Sequence, residues 1–330
     1  MRGTVAVAAA LALLVAAPAA DAKLVFVKHP TSVRPDVYVA RDDGTHKRRV
    51  SAGRSPVISE DGRWIAWVAF GSLDKVLVQR SDLSGEPRRV LRSRTIGRLA
   101  FSPDSTQLGI EAASRLIVHD LPTDTTFTAA FGHITGFSFS PDSRSLVYGT
   151  SGTKERLDAP TDLYVVTFDA GPRTRLTEDR RSLNPIWGPA GIVFDRMRPR
   201  EGDAPVFNLF EIQPDGSGPR RLTGLKIPSL LSGLVPLEFD ADGDRLLAEF
   251  TGQDTAVAFA VDPQTGDTRA LDRDMENGFV GTDISAGGRW VLGQTGGPDP
   301  SAYHDVVRMR YGGGHTKVLV QRAMSPDWSR

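Results

Sequence analysis

Apolar residues in this chain fall in short consecutive runs, at neither helical nor strictly alternating spacing, and the polar breaks between them repeat. Runs such as Leu99-Ala100-Phe101, Gly136-Phe137-Ser138-Phe139 and Val235-Pro236-Leu237-Glu238-Phe239 lead into a polar turn. Trp64-Ile65-Ala66-Trp67-Val68, Leu146-Val147-Tyr148, Ile192-Val193-Phe194 and Leu246-Leu247-Ala248 follow one. The breaks read Ile58-Ser59-Glu60-Asp61-Gly62, Phe101-Ser102-Pro103-Asp104-Ser105, Phe139-Ser140-Pro141-Asp142-Ser143, Trp187-Gly188-Pro189, Phe239-Asp240-Ala241-Asp242-Gly243, Ile284-Ser285-Ala286-Gly287-Gly288 and Met324-Ser325-Pro326-Asp327. Pro presets φ near −65°, Asp bonds its neighbouring backbone and Gly supplies a positive φ, so each break predicts a tight turn. Two β-prone runs around such a turn form a hairpin. Recurrence at roughly forty to fifty residues marks a propeller, solenoid or array.

A third strand follows each hairpin, often entered by Asp. Examples are Asp36-Val37-Tyr38-Val39, Asp162-Leu163-Tyr164-Val165-Val166, Asn208-Leu209-Phe210-Glu211-Ile212 and Asp305-Val306-Val307. The fourth is basic, as in Arg48-Arg49-Val50, Arg88-Arg89-Val90, Arg173-Thr174-Arg175-Leu176-Thr177 and Arg220-Arg221-Leu222-Thr223. Four antiparallel strands per repeat is the blade of a β-propeller. Apolar runs without alternation predict burial on both faces, which stacked blades provide.

The expected fold is therefore an all-β propeller. Six complete units leave three strands at the front and one at the back, Val320-Gln321-Arg322-Ala323-Met324 with its Ser325-Pro326-Asp327 turn. Pairing them makes a seventh four-stranded blade, in which the C-terminal strand closes the N-terminal blade. The short fourth turn, Trp187-Gly188-Pro189-Ala190-Gly191, leaves six blades as the alternative.

Residues 1–22 read as a secretory signal, with Arg2 as its positive start and Ala20-Asp21-Ala22 as an Ala-x-Ala site; the competing reading is a retained anchor. Residues 23–330 form the propeller domain. The expected location is periplasmic or secreted, with no stable membrane insertion after cleavage. Cysteine is absent, which excludes disulfides and thiolate metal sites. Forty acidic and forty basic residues balance, giving no electrostatic case for nucleic acid.

Asn184-Pro185-Ile186-Trp187, Phe139-Ser140-Pro141-Asp142, Asp162-Leu163-Tyr164-Val165-Val166 and Arg220-Arg221-Leu222-Thr223 resemble the WD40-like propeller repeat of TolB-type proteins, and the resemblance covers the chain from Lys23 onward. It implies an exported scaffold that binds proteins or ligands on one propeller face. Similar propellers precede the hydrolase domain of prolyl-oligopeptidase-like peptidases, but no Gly-x-Ser-x-Gly elbow is present here. Oligogalacturonate lyases build a metal site from histidines of separate blades on a similar propeller. The six histidines here are scattered, without metal-ligand spacing. Asp240-Ala241-Asp242-Gly243-Asp244 misplaces the glycine of a calcium loop and reads as a turn. Glu111, Glu238 and Glu249 lie within strands, where pairing with an arginine of the next blade is expected.

Connections of unequal length carry the functional expectation. Residues 151–161, 178–183, 196–205, 224–234 and 272–278 are long and emerge on one face, where loops on a rigid scaffold bind ligands. They hold Lys154, Arg156, Arg180, Arg181, Arg196, Arg198, Arg200 and Lys226, and an apolar stretch with Leu225, Ile227, Leu230 and Leu231. The expected function is a monomeric, non-enzymatic binding module without cofactor or metal, engaging a protein or cell-envelope ligand. The binding residues are expected to be Lys154, Arg156, Arg180, Arg181, Arg198, Arg200, Lys226, Leu230 and Leu231. The alternative is a metal-dependent carbohydrate lyase or hydrolase using the channel.

Overall fold

The computed structural model describes residues 22–152, 159–169, 171–252, 256–271, 278–296 and 304–330, and every regular element among them is a β-strand. The chain runs through β1 (Lys23–Lys28), β2 (Asp36–Arg41) and β3 (Arg48–Ala52), then β4 (Arg54–Ile58), β5 (Trp64–Ala69), β6 (Asp74–Arg80) and β7 (Arg88–Ser93). The third blade comprises β8 (Ile96–Phe101), β9 (Gln107–Ala112), β10 (Arg115–Asp120) and β11 (Thr125–Phe131). The fourth comprises β12 (Ile134–Phe139), β13 (Ser145–Thr150), β14 (Asp162–Thr167) and β15 (Thr174–Arg175). The fifth comprises β16 (Ser182–Gly188), β17 (Gly191–Arg200), β18 (Asp203–Ile212) and β19 (Arg220–Arg221). The sixth comprises β20 (Leu231–Phe239), β21 (Leu246–Gly252), β22 (Ala256–Val261) and β23 (Thr268–Ala270). The seventh comprises β24 (Phe279–Ile284), β25 (Trp290–Thr295), β26 (Val306–Arg310) and β27 (Lys317–Val320), after which β28 (Ala323–Trp328) returns to the start.

Each blade is a four-stranded antiparallel meander, and β28 pairs with β1 to complete the first as β28-β1-β2-β3. The ring therefore has seven blades and is closed. The fourth hairpin is genuine: Gly188 pairs with Gly191 around a two-residue turn of Pro189 and Ala190, which removes the six-blade alternative. A single parallel bridge, Phe207 to Gly233, joins blades five and six into one eight-stranded sheet.

The core is seven apolar layers, one per blade interface, rather than a single mass. Trp67 and Ile65 of blade two pack on Val25, Val37 and Val39 of blade one, and Leu24, Phe26 and Trp328 pack on Leu292 and Val306 of blade seven. This explains why the strand runs lack alternation. Both faces of the second strands, such as β5, β13 and β25, are dry.

Two expectations need correcting. Ser325-Pro326-Asp327 is no turn; it lies inside β28, which begins at Ala323 rather than Val320. Its counterparts are Ser55-Pro56 in β4 and Asn184-Pro185 in β16, each with a positive φ before the proline and a register shift in the adjoining ladder. Pro lacks an N–H, so the bulge lifts it out of the ladder. Residues 196–205 are likewise no loop but the extended ends of β17 and β18. The leader falls outside the described residues apart from Ala22, as do 153–158 and 272–277 of the long connections. Among the described residues no helix is long and apolar enough to cross a membrane.

Candidate ligand-binding surfaces

Blade five departs from its siblings. β17 and β18 have ten residues each, where the equivalent β9 and β10 have six. Four further residues at roughly 3.3 Å each carry this hairpin about 13 Å further out. It projects on the face where second-to-third and fourth-to-first connections emerge, and it forms a ledge there. The ledge is tied down at its tip. Arg200 bonds Asp203 at 2.5 Å, and its Nη1 and Nη2 each donate at 3.0 Å to the carbonyls of Pro228 and Ile227. The Leu230 N–H returns a bond to Asp203 Oδ1 at 3.1 Å. The bond from Arg200, with those from the Leu230 and Ala204 amides, holds the Asp203 carboxyl down at about 2. Gly233 completes the clamp at φ +113°, because a Cβ there would collide with the Phe207 carbonyl and the Ile227 side chain.

This geometry sorts the expected binding residues. Arg181, Arg198, Arg200 and Lys226 line two adjoining cavities of about 230 and 380 Å³ along the ledge, which share Arg198, Val206, Asn208 and Arg221. Arg200 is mainly a clamp. Arg196 is neutralised by Asp179 at 2.8 Å and lies over the Phe210 ring. Arg180 lines neither cavity; its backbone N–H bonds Asp162 at 2.9 Å. Leu230 is 62% exposed at φ +69°, and Leu231 is half-buried at the entry to β20. Lys154 and Arg156 lie outside the described residues. Arg221 and Asn208 were missed by sequence reasoning, because one belongs to an ordinary fourth strand and the other to an ordinary third strand.

A second feature occupies the opposite end of the channel, among the first hairpin turns. Two cavities of about 330 and 360 Å³ meet around Arg330, Glu60, Arg98 and Glu238. One wall is aromatic, with Phe101, Phe137, Phe139, Trp187 and Phe239. The other is acidic. Arg330 reaches Asp283 at 2.8 Å, Glu238 at 3.1 Å and Glu60 at 3.7 Å, and donates to the Phe239 carbonyl at 3.0 Å. Asp327 accepts the Ile58 N–H at 2.7 Å and so bridges neighbouring inner strands. Burial pushes Glu60 up to about 7 against the pull of Arg330, and burial with Asp283 nearby raises Asp327 well above the carboxylate range. Glu238 thus pairs with an arginine from blade one, rather than from the next blade. Glu111 instead accepts the Arg98 N–H of its own blade at 3.4 Å. Burial raises Glu249.

His119 is buried against Thr126, and His304 bonds the Thr295 carbonyl. Among the described residues no three His, Asp or Glu side chains are grouped to hold a metal.

No protein-family model matches the chain, and no curated protein does either. Solved structures do match. The chain is similar to TolB from Acinetobacter baumannii at 16% identity, over 94% of this chain and 83% of that one, with a TM-score of 0.54. It is similar to an oligogalacturonate lyase in complex with manganese at 14% identity, over 90% and 83%, with a TM-score of 0.62. It is also similar to the β-propeller domain of the Trilobed protease from Pyrococcus furiosus at 12% identity, over 92% and 95%, with a TM-score of 0.65. That domain is described as having an open velcro topology, whereas β28 and β1 close the ring here. Such identities establish the fold, a β-propeller of the kind found in TolB and in propeller enzymes, and leave the activity to the site.

Proposed function

We propose that this chain is an exported, non-enzymatic binding module that engages a protein or cell-envelope ligand through the face bearing the blade-five ledge. The observation that carries this reading is the clamped tip. An exposed hairpin extension held by Arg200, Asp203 and the 227–230 backbone is a pre-ordered surface, and pre-ordering lowers the entropic cost of association. Export to the periplasm or beyond rests on the leader-like residues 1–22. The likeness to a manganese-bound lyase is one of fold, and metal analysis of the purified protein tests a metal-dependent lyase reading. Stoichiometric bound metal whose removal abolishes cleavage of an acidic polysaccharide would overturn the binding-module reading.

The face is tested by affinity capture from envelope extract. The double variant Arg198→Glu, Leu230→Glu is expected to lose the captured ligand. Charge reversals at Asp42, Asp82 and Asp215, in third-to-fourth turns on the opposite face, are expected to keep it. The reverse outcome would move the binding surface to the channel-mouth face.

A further inference from the structure

The register of blades four and five, where Tyr164 faces Arg175 as Phe210 faces Arg221, brings out one exchanged polar side chain. In blade four, Asp162 opens the third strand; its Oδ1 accepts the Thr177 hydroxyl at 3.2 Å and the Arg180 N–H at 2.9 Å, and its Oδ2 accepts Arg175 Nη2 at 2.7 Å. Arg175 is aimed by a bond from Nε to the Thr177 carbonyl at 2.9 Å. Blade one repeats the pairing with Asp36 and Arg49 at 2.8 Å. In blade five the frame is the same: Arg221 Nε donates to the Thr223 carbonyl at 2.7 Å, and the Leu209 N–H donates to the Thr223 hydroxyl at 2.9 Å. The residue at the place of Asp162, however, is Asn208, here in the middle of the lengthened β18. Its Oδ1 takes the Thr223 hydroxyl at 3.4 Å and the Leu225 N–H at 3.1 Å, which leaves the amide nitrogen where blade four has its second carboxylate oxygen.

A donor thus replaces the acceptor that neutralises the arginine. Among the described residues Arg221 has no ion pair, and neither do its neighbours in the two cavities, Arg181, Arg198 and Lys226. Guanidinium groups recognise planar oxyanions through paired N–H bonds. Val206, Met197 and Phe210 line the smaller cavity, Val206, Leu225 and Ile227 the larger, and they give apolar footing beside the cations.

We propose that this groove is a subsite for an acidic polypeptide segment, in which a ligand carboxylate takes the place that the blade's own aspartate holds in blade four. Charge complementarity argues for an acid, and the apolar residues between the cations favour a peptide over a uniformly polar glycan. The proposal rests on the binding-module reading of the same face.

The test uses the purified protein and three probes, a Glu-rich peptide with interspersed apolar residues, an oligogalacturonate and inorganic phosphate, with binding measured by calorimetry at low and moderate salt. The peptide is expected to bind, more weakly at higher salt. Asn208→Asp is expected to weaken it at least tenfold while keeping the melting temperature, because blade four folds around that side chain. Arg198→Glu should weaken it as well. Binding unchanged in Asn208→Asp, or preference for oligogalacturonate or phosphate over the peptide, would overturn the proposal. Absent peptide binding with ligand capture intact would sink the subsite alone; peptide binding with capture indifferent to Arg198→Glu, Leu230→Glu would sink the wider reading instead.

Discussion

Asp195 offers a sharp test of how burial governs this fold. It sits in β17 opposite Leu183 and Leu209, is fully buried, and has no hydrogen bond of ordinary geometry at either oxygen. Burial pushes its pKa from 3.8 up to about 7, and the Asn184 amide opposes this by less. A carboxyl whose folded pKa is raised binds its proton more tightly in the fold. Its contribution is therefore most favourable below about pH 4, is lost as pH rises through 4 to 7, and is absent above. A shift of roughly three units at 1.36 kcal/mol each sets an upper bound of about 4 kcal/mol on the penalty at pH 8. Asn cannot ionise. Asp195→Asn should therefore gain stability relative to wild type by about 3 kcal/mol more at pH 8 than at pH 4.5. Urea unfolding followed by tryptophan fluorescence at both pH values measures this difference. A variant that tracks the wild-type pH dependence would show that Asp195 does not titrate in that window, and the burial argument would fail.

Three further outcomes are expected. Deleting residues 323–330 removes β28, with buried Ala323 and Trp328, and leaves an open inner edge, so the product should aggregate or melt far lower in a thermal scan; unchanged melting would show that closure is unimportant. Arg330→Ala leaves Asp283, Glu238 and Glu60 without their shared cation, at a cost of about 3–5 kcal/mol, and the loss should be larger at pH 8 than at pH 5, where Glu60, pushed up to about 7 by burial, carries its proton; equal losses at both would refute the pairing. Arg200→Glu should expose residues 224–230 to limited proteolysis, whereas Leu230→Ala should change stability by under about 0.5 kcal/mol and leave the loop protected.

Much of the fold was legible because turn chemistry is local. Pro, Asp and Gly mark the six hairpins that open blades two to seven, each in its own stretch of chain, and the surplus of three strands and one announces the closure. Misreadings arose where tertiary contacts decide. Ser325-Pro326-Asp327 looks like Ser102-Pro103-Asp104, and only pairing with β1 reveals a bulged strand. Pro199, Pro205 and the charges between them suggest a loop, yet Arg200 and Asp203 draw their partners from residues 227–230 and hold the hairpin extended. The cluster around Arg330 assembles side chains from blades one, two, six and seven, and no spacing along the chain encodes it. Asn208 was visible in the sequence from the start, but its meaning appears only beside Asp162.

Blade one differs from the other six in how it is made. They are each a single uninterrupted stretch of backbone, while it is stitched from both ends. Lys23 and Ser329 exchange bonds at 2.9 Å across that seam, in both directions. A pull applied to the two ends would therefore load this one junction first, and the ring would open there like a clasp while the remaining blades kept their pairing. The same adjacency means that a short peptide tether could join Lys23 to Arg330 and new ends be cut between any other two blades. The permuted ring would then carry its clasp elsewhere, and the weak point of the molecule is set by where the chain is cut rather than by the circle of blades itself.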